Sequence, residues 1–176
     1  EITAPKLFGK DIRIEKNILL RHRPELVTDQ GEKVMEIMNI YYDFDKYGLR
    51  DESKIELDAV VEMLTKNKDM KLQIHGHTDW FNNVDYNTEL SLNRCRTPLA
   101  YLEAQGVDPA RVEMKNFSEN KPLDNNDNDT GRQYNRRAEF HFLRGDEVVY
   151  SSVKLRSGVT AVRVDHATPK GQPGYD

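Results

Sequence analysis

Two histidines and an aspartate stand close together in the run His75-Gly-His77-Thr-Asp79. Histidines two positions apart on a strand share one face, and an HxHxD run can begin a dinuclear metallohydrolase site. Such a site needs further ligands, but Trp80 stands where the motif usually has its next histidine, and the remaining histidines are scattered. We therefore expect no bound metal. The alternative is a metal-dependent hydrolase that uses His75, His77 and Asp79.

Other motifs that could carry chemistry are incomplete. The run 124–128 resembles the start of a calcium loop, but Asp129 and Asn135 replace the required glycine and the bidentate glutamate. No serine lies in a Gly-x-Ser-x-Gly elbow, and no glycine-rich loop could hold a phosphate. Cys95 falls within a helical pattern, which is typical of a small core residue. These observations favour a non-enzymatic protein without a cofactor.

A carboxylate and a guanidinium remain as the best candidates for a binding site. Asp79 follows a predicted strand, and Arg94 follows Asn87 and Leu90 at helical spacing, on one face of the next predicted helix. Together the two charges could bind a zwitterion, the carboxylate taking an ammonium group and the arginine a carboxylate. The alternative is an internal ion pair between Asp79 and Arg94 that holds the loop to the helix.

The elements that must position these residues alternate along the chain. Strands with period two and helices with period 3.6 are predicted by the hydrophobic pattern. The predicted strands are 34–44, 70–76, 111–117 and 138–143. The predicted helices run from Asp51 to near Asn67 and over about 88–104, and the predicted loops are 77–86 and 124–130. A terminal hairpin is predicted to join 148–155 to 161–164. This order predicts an α/β sandwich of the α+β class, a mixed sheet with helices packed on one face.

Composition narrows the class of protein. The 176 residues suit one domain with extensions, and we place an N-terminal extension or linker at 1–33, the domain at 34–143 and a C-terminal extension at 144–176. A net charge of -4 gives no electrostatic drive towards nucleic acid, and no apolar run is long enough for a transmembrane helix. The start, Glu1-Ile-Thr-Ala-Pro, lacks both a signal sequence and an initiator Met, so we expect a piece of a longer protein.

Five short motifs resemble one known family when they are taken together. The motifs are Tyr41-Tyr-Asp-Phe-Asp-Lys46, Ile74-His-Gly-His-Thr-Asp79, Tyr86-Asn87 with Leu90-Ser91 and Arg94, Gly131-Arg132, and Asn135-Arg-Arg137. In order and spacing they resemble the OmpA-like C-terminal domain, the peptidoglycan-binding module of the OmpA, Pal and MotB family. The resemblance covers about residues 40–143.

The resemblance implies a periplasmic domain that binds peptidoglycan of a Gram-negative bacterium non-covalently, through the meso-diaminopimelate of the stem peptide. It would anchor an outer-membrane protein, a lipoprotein or an envelope-spanning assembly such as a secretion system, and other envelope proteins are possible partners. Family matching assigns the ammonium of diaminopimelate to Asp79 and its carboxylate to Arg94. The residues implied to line or support the pocket are Asp45, Thr78, Asn87, Leu90 and Arg136.

The sequence also departs from the family pattern. The family usually has a glycine shortly after the HTD aspartate, whereas Trp80-Phe-Asn-Asn83 fills this loop here. Pro98 is unusual within its helix. The changed loop leaves open a degenerate domain that serves only protein–protein assembly, although the intact Asp79 and Arg94 argue against it.

Overall fold

The computed structural model describes residues 25–27 and 33–153, with side chains from residue 36 onward. Seven strands and three α-helices are present in this part of the chain. The strands are β1 (Glu25–Val27), β2 (Lys33–Met35), β3 (Ile40–Tyr41), β4 (Met70–His77), β5 (Val112–Ser118), β6 (Arg137–Arg144) and β7 (Glu147–Ser151), and the helices are α1 (Asp51–Lys66), α2 (Val84–Ala104) and α3 (Asp129–Asn135), with a 3₁₀ turn at Pro109–Arg111.

Five strands form one mixed sheet in the order β3-β6-β4-β5, and β7 also pairs with β6. Strands β4 and β5 are parallel, whereas β6 is antiparallel to β4, β3 and β7. Strands β1 and β2 form a separate antiparallel pair. The fold prediction, a mixed sheet with packed helices, is thereby confirmed. Among the described helices, none combines the length and the apolar character that a membrane crossing requires.

The core lies between the helices and the face of the sheet that carries Ile74 and Phe140. Side chains alternate between buried and more exposed along β4, as a strand with one covered face requires. On α2 the buried residues recur at helical spacing, and they include Asn87, Leu90 and Arg94. The helix therefore brings polar, potentially functional groups to the same side as the apolar ones.

Helix α2 lies very close to β4 at Gly76. A Cβ at this position would lie 2.0 Å from the carbonyl oxygen of Ser91 and 2.8 Å from the Sγ of Cys95. The thiol of Cys95 in turn donates to the carbonyl of Ile74 at 3.4 Å. Gly76 thus sets the helix-to-sheet distance, because any side chain would push the helix away from the strand.

The prediction of one continuous strand over residues 34–44 is wrong. It is divided into β2 and β3, and the residues between them are bound by side chains from the far end of the chain. The hydroxyl of Tyr150 donates to the carbonyl of Ile37 and accepts from its N–H, each at 2.7 Å, while Ser152 donates to the side chain of Asn39. These partners replace the ladder of a neighbouring strand.

Helix boundaries also differ from the prediction. Helix α2 begins at Val84 instead of near residue 88, because the side chain of Asn83 caps it by accepting from the N–H of Tyr86. The polar run at 124–130 leads into α3, which the sequence pattern does not predict, and Asn128 caps that helix at the N–H of Gly131.

Strand β7 pairs with β6 across a turn at Gly145, whose φ is +62°, and ends at Ser151. The predicted strand at 161–164 falls outside the described residues.

Candidate functional site

Asp79 lies two residues beyond the end of β4 and is buried, with only 3% of its surface exposed. One carboxylate oxygen, Oδ2, accepts from Nη1 of Arg136 at 2.8 Å. The other, Oδ1, accepts from the backbone N–H of Phe81 at 3.2 Å. The carboxylate is therefore oriented by one charged group and by the loop that follows it.

Arg94 is fully buried on α2 and donates to three backbone carbonyls. Its Nε donates to Lys46 at 2.9 Å, Nη1 to His77 at 3.0 Å and Nη2 to Asp43 at 3.3 Å. Burial lowers the pKa of Arg94 to about 10, although the nearby Asp79 raises it, so the guanidinium stays charged at neutral pH. Arg94 therefore joins the segment 43–46 to the end of β4.

The internal ion pair of Asp79 is formed with Arg136, and the alternative pairing with Arg94 is not observed. Arg136 is itself fixed, since its Nε donates to the carbonyl of Tyr42 at 3.2 Å and its Nη2 to Oε1 of Gln133 at 3.3 Å. Gln133 lies on α3, a helix that the hydrophobic pattern of the sequence does not predict. The structure thus brings Asp79 and Arg136 into contact through an element that the periodicity did not indicate.

Three buried polar atoms near this pair have no hydrogen-bond partner. They are Oγ1 of Thr78, Nε1 of Trp80 and Oδ1 of Asn87. The amide nitrogen of Asn87 is satisfied, because it donates to the carbonyl of Asp79 at 3.3 Å and to Oε2 of Glu119 at 3.0 Å. Buried polar groups are almost always paired, so these atoms mark a place where a bound polar group would be stabilised.

The two remaining predicted residues, Asp45 and Leu90, lie in different surroundings. Asp45 is exposed in the segment after β3, with a positive φ of 55°, and its carboxylate accepts from the hydroxyl of Tyr86 at 2.6 Å. Leu90 is buried on the face of α2 that also carries Arg94. Phe44 and Phe81 meet edge to face, with ring centroids 5.3 Å apart, and so connect the segment after β3 with the loop after β4.

A second polar cluster lies on β4 and β6. His75, His77 and Glu139 could hold a metal ion, since their possible ligand atoms all lie within 4.8 Å of one another. Burial lowers the pKa of His77 to about 4 and that of His75 to about 3. Asp79 does not belong to this cluster, so the triad of His75, His77 and Asp79 that the hydrolase alternative required is not assembled among the described residues.

Comparisons with known proteins agree with the motifs. The OmpA family profile matches residues 41–136. The chain is 31% identical over 119 residues to outer membrane protein A of Bordetella avium, a match that covers 68% of this chain and 61% of that protein. It is 35% identical over 107 residues to the photosystem I P700 chlorophyll a apoprotein A2 of Gloeobacter violaceus, covering 57% of this chain and 12% of that protein. The chain thus spans less than two thirds of either relative.

A solved structure has the same fold. The peptidoglycan-associated lipoprotein of Burkholderia pseudomallei superposes with a TM-score of 0.58 at 25% sequence identity. The superposition covers 60% of this chain and 90% of that one, so nearly the whole of the solved domain has a counterpart here.

Proposed function

Because the chain belongs to the OmpA family, we propose that its domain binds peptidoglycan without covalent attachment and anchors a larger envelope protein to the cell wall. The name of the superposed lipoprotein, which is peptidoglycan-associated, supports this proposal. The location would be the periplasm of a Gram-negative bacterium, beside the outer membrane. No enzymatic family is indicated by the matches, which supports a role in binding and not in catalysis.

The observation that carries the proposal is a buried pair of opposite charges beside unpartnered polar atoms. The carboxylate of Asp79 and the guanidinium of Arg136 are in contact, and Thr78 and Asn87 each offer a free oxygen nearby. Diaminopimelate has an amino-acid head group, an ammonium and a carboxylate on one carbon, at the end of its side chain. A site with both charges and additional hydrogen-bonding atoms is complementary to this head group.

Each charged side chain takes one role in the proposed complex. Asp79 accepts from the ligand ammonium, while Arg136 keeps the carboxylate oriented. Arg94 binds the ligand carboxylate, for which two of its five N–H groups remain after its three bonds to backbone carbonyls. A lysine-type stem peptide lacks that carboxylate, so this contact would supply the selectivity for diaminopimelate.

Ligand access to Arg94 requires a movement, since this side chain is fully buried. The segment after β3 covers it, and the longest of its three bonds, 3.3 Å, goes to the carbonyl of Asp43 in that segment. The contact between Phe44 and Phe81 connects the two covering segments. We propose that the ligand separates these two rings and replaces the carbonyl of Asp43 as a partner of Arg94.

A pull-down with purified peptidoglycan tests the proposal. The domain should sediment with diaminopimelate-type wall and be released by soluble diaminopimelate-containing stem peptide, while lysine-type wall should retain much less. Equal retention by both walls would disprove the selectivity and leave general wall binding. No retention by either wall would favour the alternative of a domain used only for assembly with other envelope proteins.

A further inference from the structure

The sheet face opposite the helices carries three imidazoles and a carboxylate from two adjacent strands. His75 and His77 are two positions apart on β4, and in the antiparallel register His75 lies opposite Glu139 of β6. His141 is two positions beyond Glu139, so it shares the same face. The partial exposure of His75 and His141, 14% and 15% of their side chains, leaves this cluster open to small ions.

The distances within the cluster suit a metal ion with tetrahedral coordination. Oε1 of Glu139 lies 3.3 Å from Nε2 of His77, and Oε2 lies 3.8 Å from Nδ1 of His75. Ligand atoms about 2.0–2.1 Å from a tetrahedral Zn²⁺ are about 3.4 Å apart. The contact with His77 is therefore at the separation that a shared ion imposes. The ligand atoms as a set lie within 4.8 Å of one another, and side-chain rotations would bring them to a common ion.

His77 provides an independent sign of a missing ligand. The residue is 1% exposed, its Nδ1 has no hydrogen-bond partner, and the contact of its Nε2 is the one of 3.3 Å with Oε1 of Glu139. A buried polar group without a hydrogen-bond partner is unfavourable, and few such groups occur in native proteins. A metal ion bound at one nitrogen would satisfy it.

Neighbouring side chains hold the carboxylate in place. Arg137 donates to Oε1 of Glu139 at 2.8 and 2.5 Å, and Nε2 of His141 donates to Oε2 at 3.0 Å. The ring of His141 also stacks on that of His75, with centroids 3.9 Å apart. Such outer partners orient metal ligands. The positive charge of Arg137 opposes a cation, so imidazole nitrogens must supply much of the affinity, which favours Zn²⁺ over Ca²⁺ or Mg²⁺.

We propose that His75, His77 and Glu139 bind one divalent transition-metal ion, with His141 as a positioning residue. This site differs from the sequence expectation of no metal, because Glu139 and His141 belong to β6 and no motif connected them with the HxH run. It is separate from Asp79 and does not depend on the binding of peptidoglycan. With ligands from two paired strands, the ion would act as a structural clamp on the sheet.

The test is titration of chelator-treated protein with ZnCl₂ by calorimetry, and with CoCl₂ by visible absorption, where a tetrahedral site gives intense d–d bands. We expect one equivalent of either metal and a higher melting temperature with Zn²⁺ but not with Mg²⁺. His75→Gln and His141→Gln alter partly exposed side chains and should fold; the first should lose at least about tenfold in Zn²⁺ affinity, and the second should lose less.

Two controls separate this site from adventitious binding. Glu89→Gln removes an exposed carboxylate from α2, which packs on the other face of the sheet, and should leave the affinity unchanged. The double variant His22→Gln, His166→Gln removes the remaining histidines and should still bind one equivalent. The proposal is overturned if wild-type protein shows no heat and no cobalt bands, or if the His75→Gln protein binds as tightly as wild type.

Discussion

The carboxylate of Asp79 and the guanidinium of Arg136 form a buried ion pair at 2.8 Å between residues 57 positions apart in the chain. The pair joins the loop after β4 to the residue that precedes β6. Arg136 retains a second fixed partner, the carbonyl of Tyr42. The carboxylate can therefore exchange part of its interaction for a ligand ammonium without leaving the guanidinium unpaired.

We expect Asp79→Asn to lose peptidoglycan binding by at least about tenfold, since removing one charge from a desolvated pair costs about 2–5 kcal/mol. The free energy of unfolding should fall by only about 1–3 kcal/mol, because Arg136 keeps its bond to Tyr42. Pull-down and urea unfolding of the same protein measure both effects. Glu89→Gln, which removes an exposed carboxylate from α2, is the control. Unchanged retention of folded Asp79→Asn would refute the assigned role.

Arg94→Lys should reduce stability and wall binding together, and Arg94→Ala should reduce binding further. A lysine ammonium cannot reproduce the fork that reaches three carbonyls and a ligand carboxylate. For Arg94→Lys we expect the free energy of unfolding to fall by about 2 kcal/mol, the usual contribution of a hydrogen bond from a charged donor. The matched control is Arg96→Lys, two positions away on the same helix but exposed. A folded Arg94→Ala protein that binds the wall normally would contradict the proposed role of Arg94.

Trp80, the only tryptophan, should report on ligand binding. It follows Asp79 directly, and its indole N–H is buried without a partner. A ligand that hydrogen-bonds there or displaces the loop should shift the emission maximum or change its intensity. Fluorescence titration with diaminopimelate-containing stem peptide measures this, and the lysine-containing peptide should have a smaller effect. An unchanged emission spectrum at saturation would mean that the loop of residues 80–83 lies outside the binding site.

Gly76→Ala should destabilise the fold strongly. The added Cβ would lie 2.0 Å from the carbonyl oxygen of Ser91, which is backbone and cannot rotate away, so α2 would have to move from the sheet. Overpacking of this kind costs about 1–3 kcal/mol or more. Gly48→Ala is the matched control, since nothing lies within 4 Å of its added Cβ. Thermal unfolding of both proteins compares them, and equal melting temperatures would contradict the close packing of α2 on β4.

Cys95 should resist thiol reagents in the folded protein and react only on unfolding. It is fully buried, and burial raises the pKa of its thiol from 9.0 to about 12, so the reactive thiolate is scarce. Because the folded-state pKa is the higher one, the thiol's contribution to stability is complete below about pH 9 and is lost as the pH rises towards 12.

Labelling with and without urea, at several alkaline pH values, measures both properties of Cys95. In Cys95→Ser the part of the alkaline stability loss that comes from the thiol should disappear. Rapid labelling of the native protein at neutral pH would show that the interface between α2 and β4 opens readily.

Local pattern was sufficient for most of the secondary structure. The alternation of buried and exposed residues along β4 and the spacing of buried residues on α2 follow from side-chain geometry within one element, so periodicity predicts them. The same pattern placed Asn87, Leu90 and Arg94 on one helical face. The ordered motifs are also local, and they are sufficient to identify the family.

Only the tertiary structure decided which partners these residues have. An ion pair depends on distance in space, and α3 holds Gln133 and Arg136 where Asp79 can reach, although Arg94 is the nearer arginine in the sequence. Strand 34–44 is interrupted because Tyr150, 113 positions away from Ile37, binds its backbone. Pairing of β4 with β6 likewise sets Glu139 beside the histidines. Contacts between distant segments depend on how the sheet is assembled, which no local pattern contains.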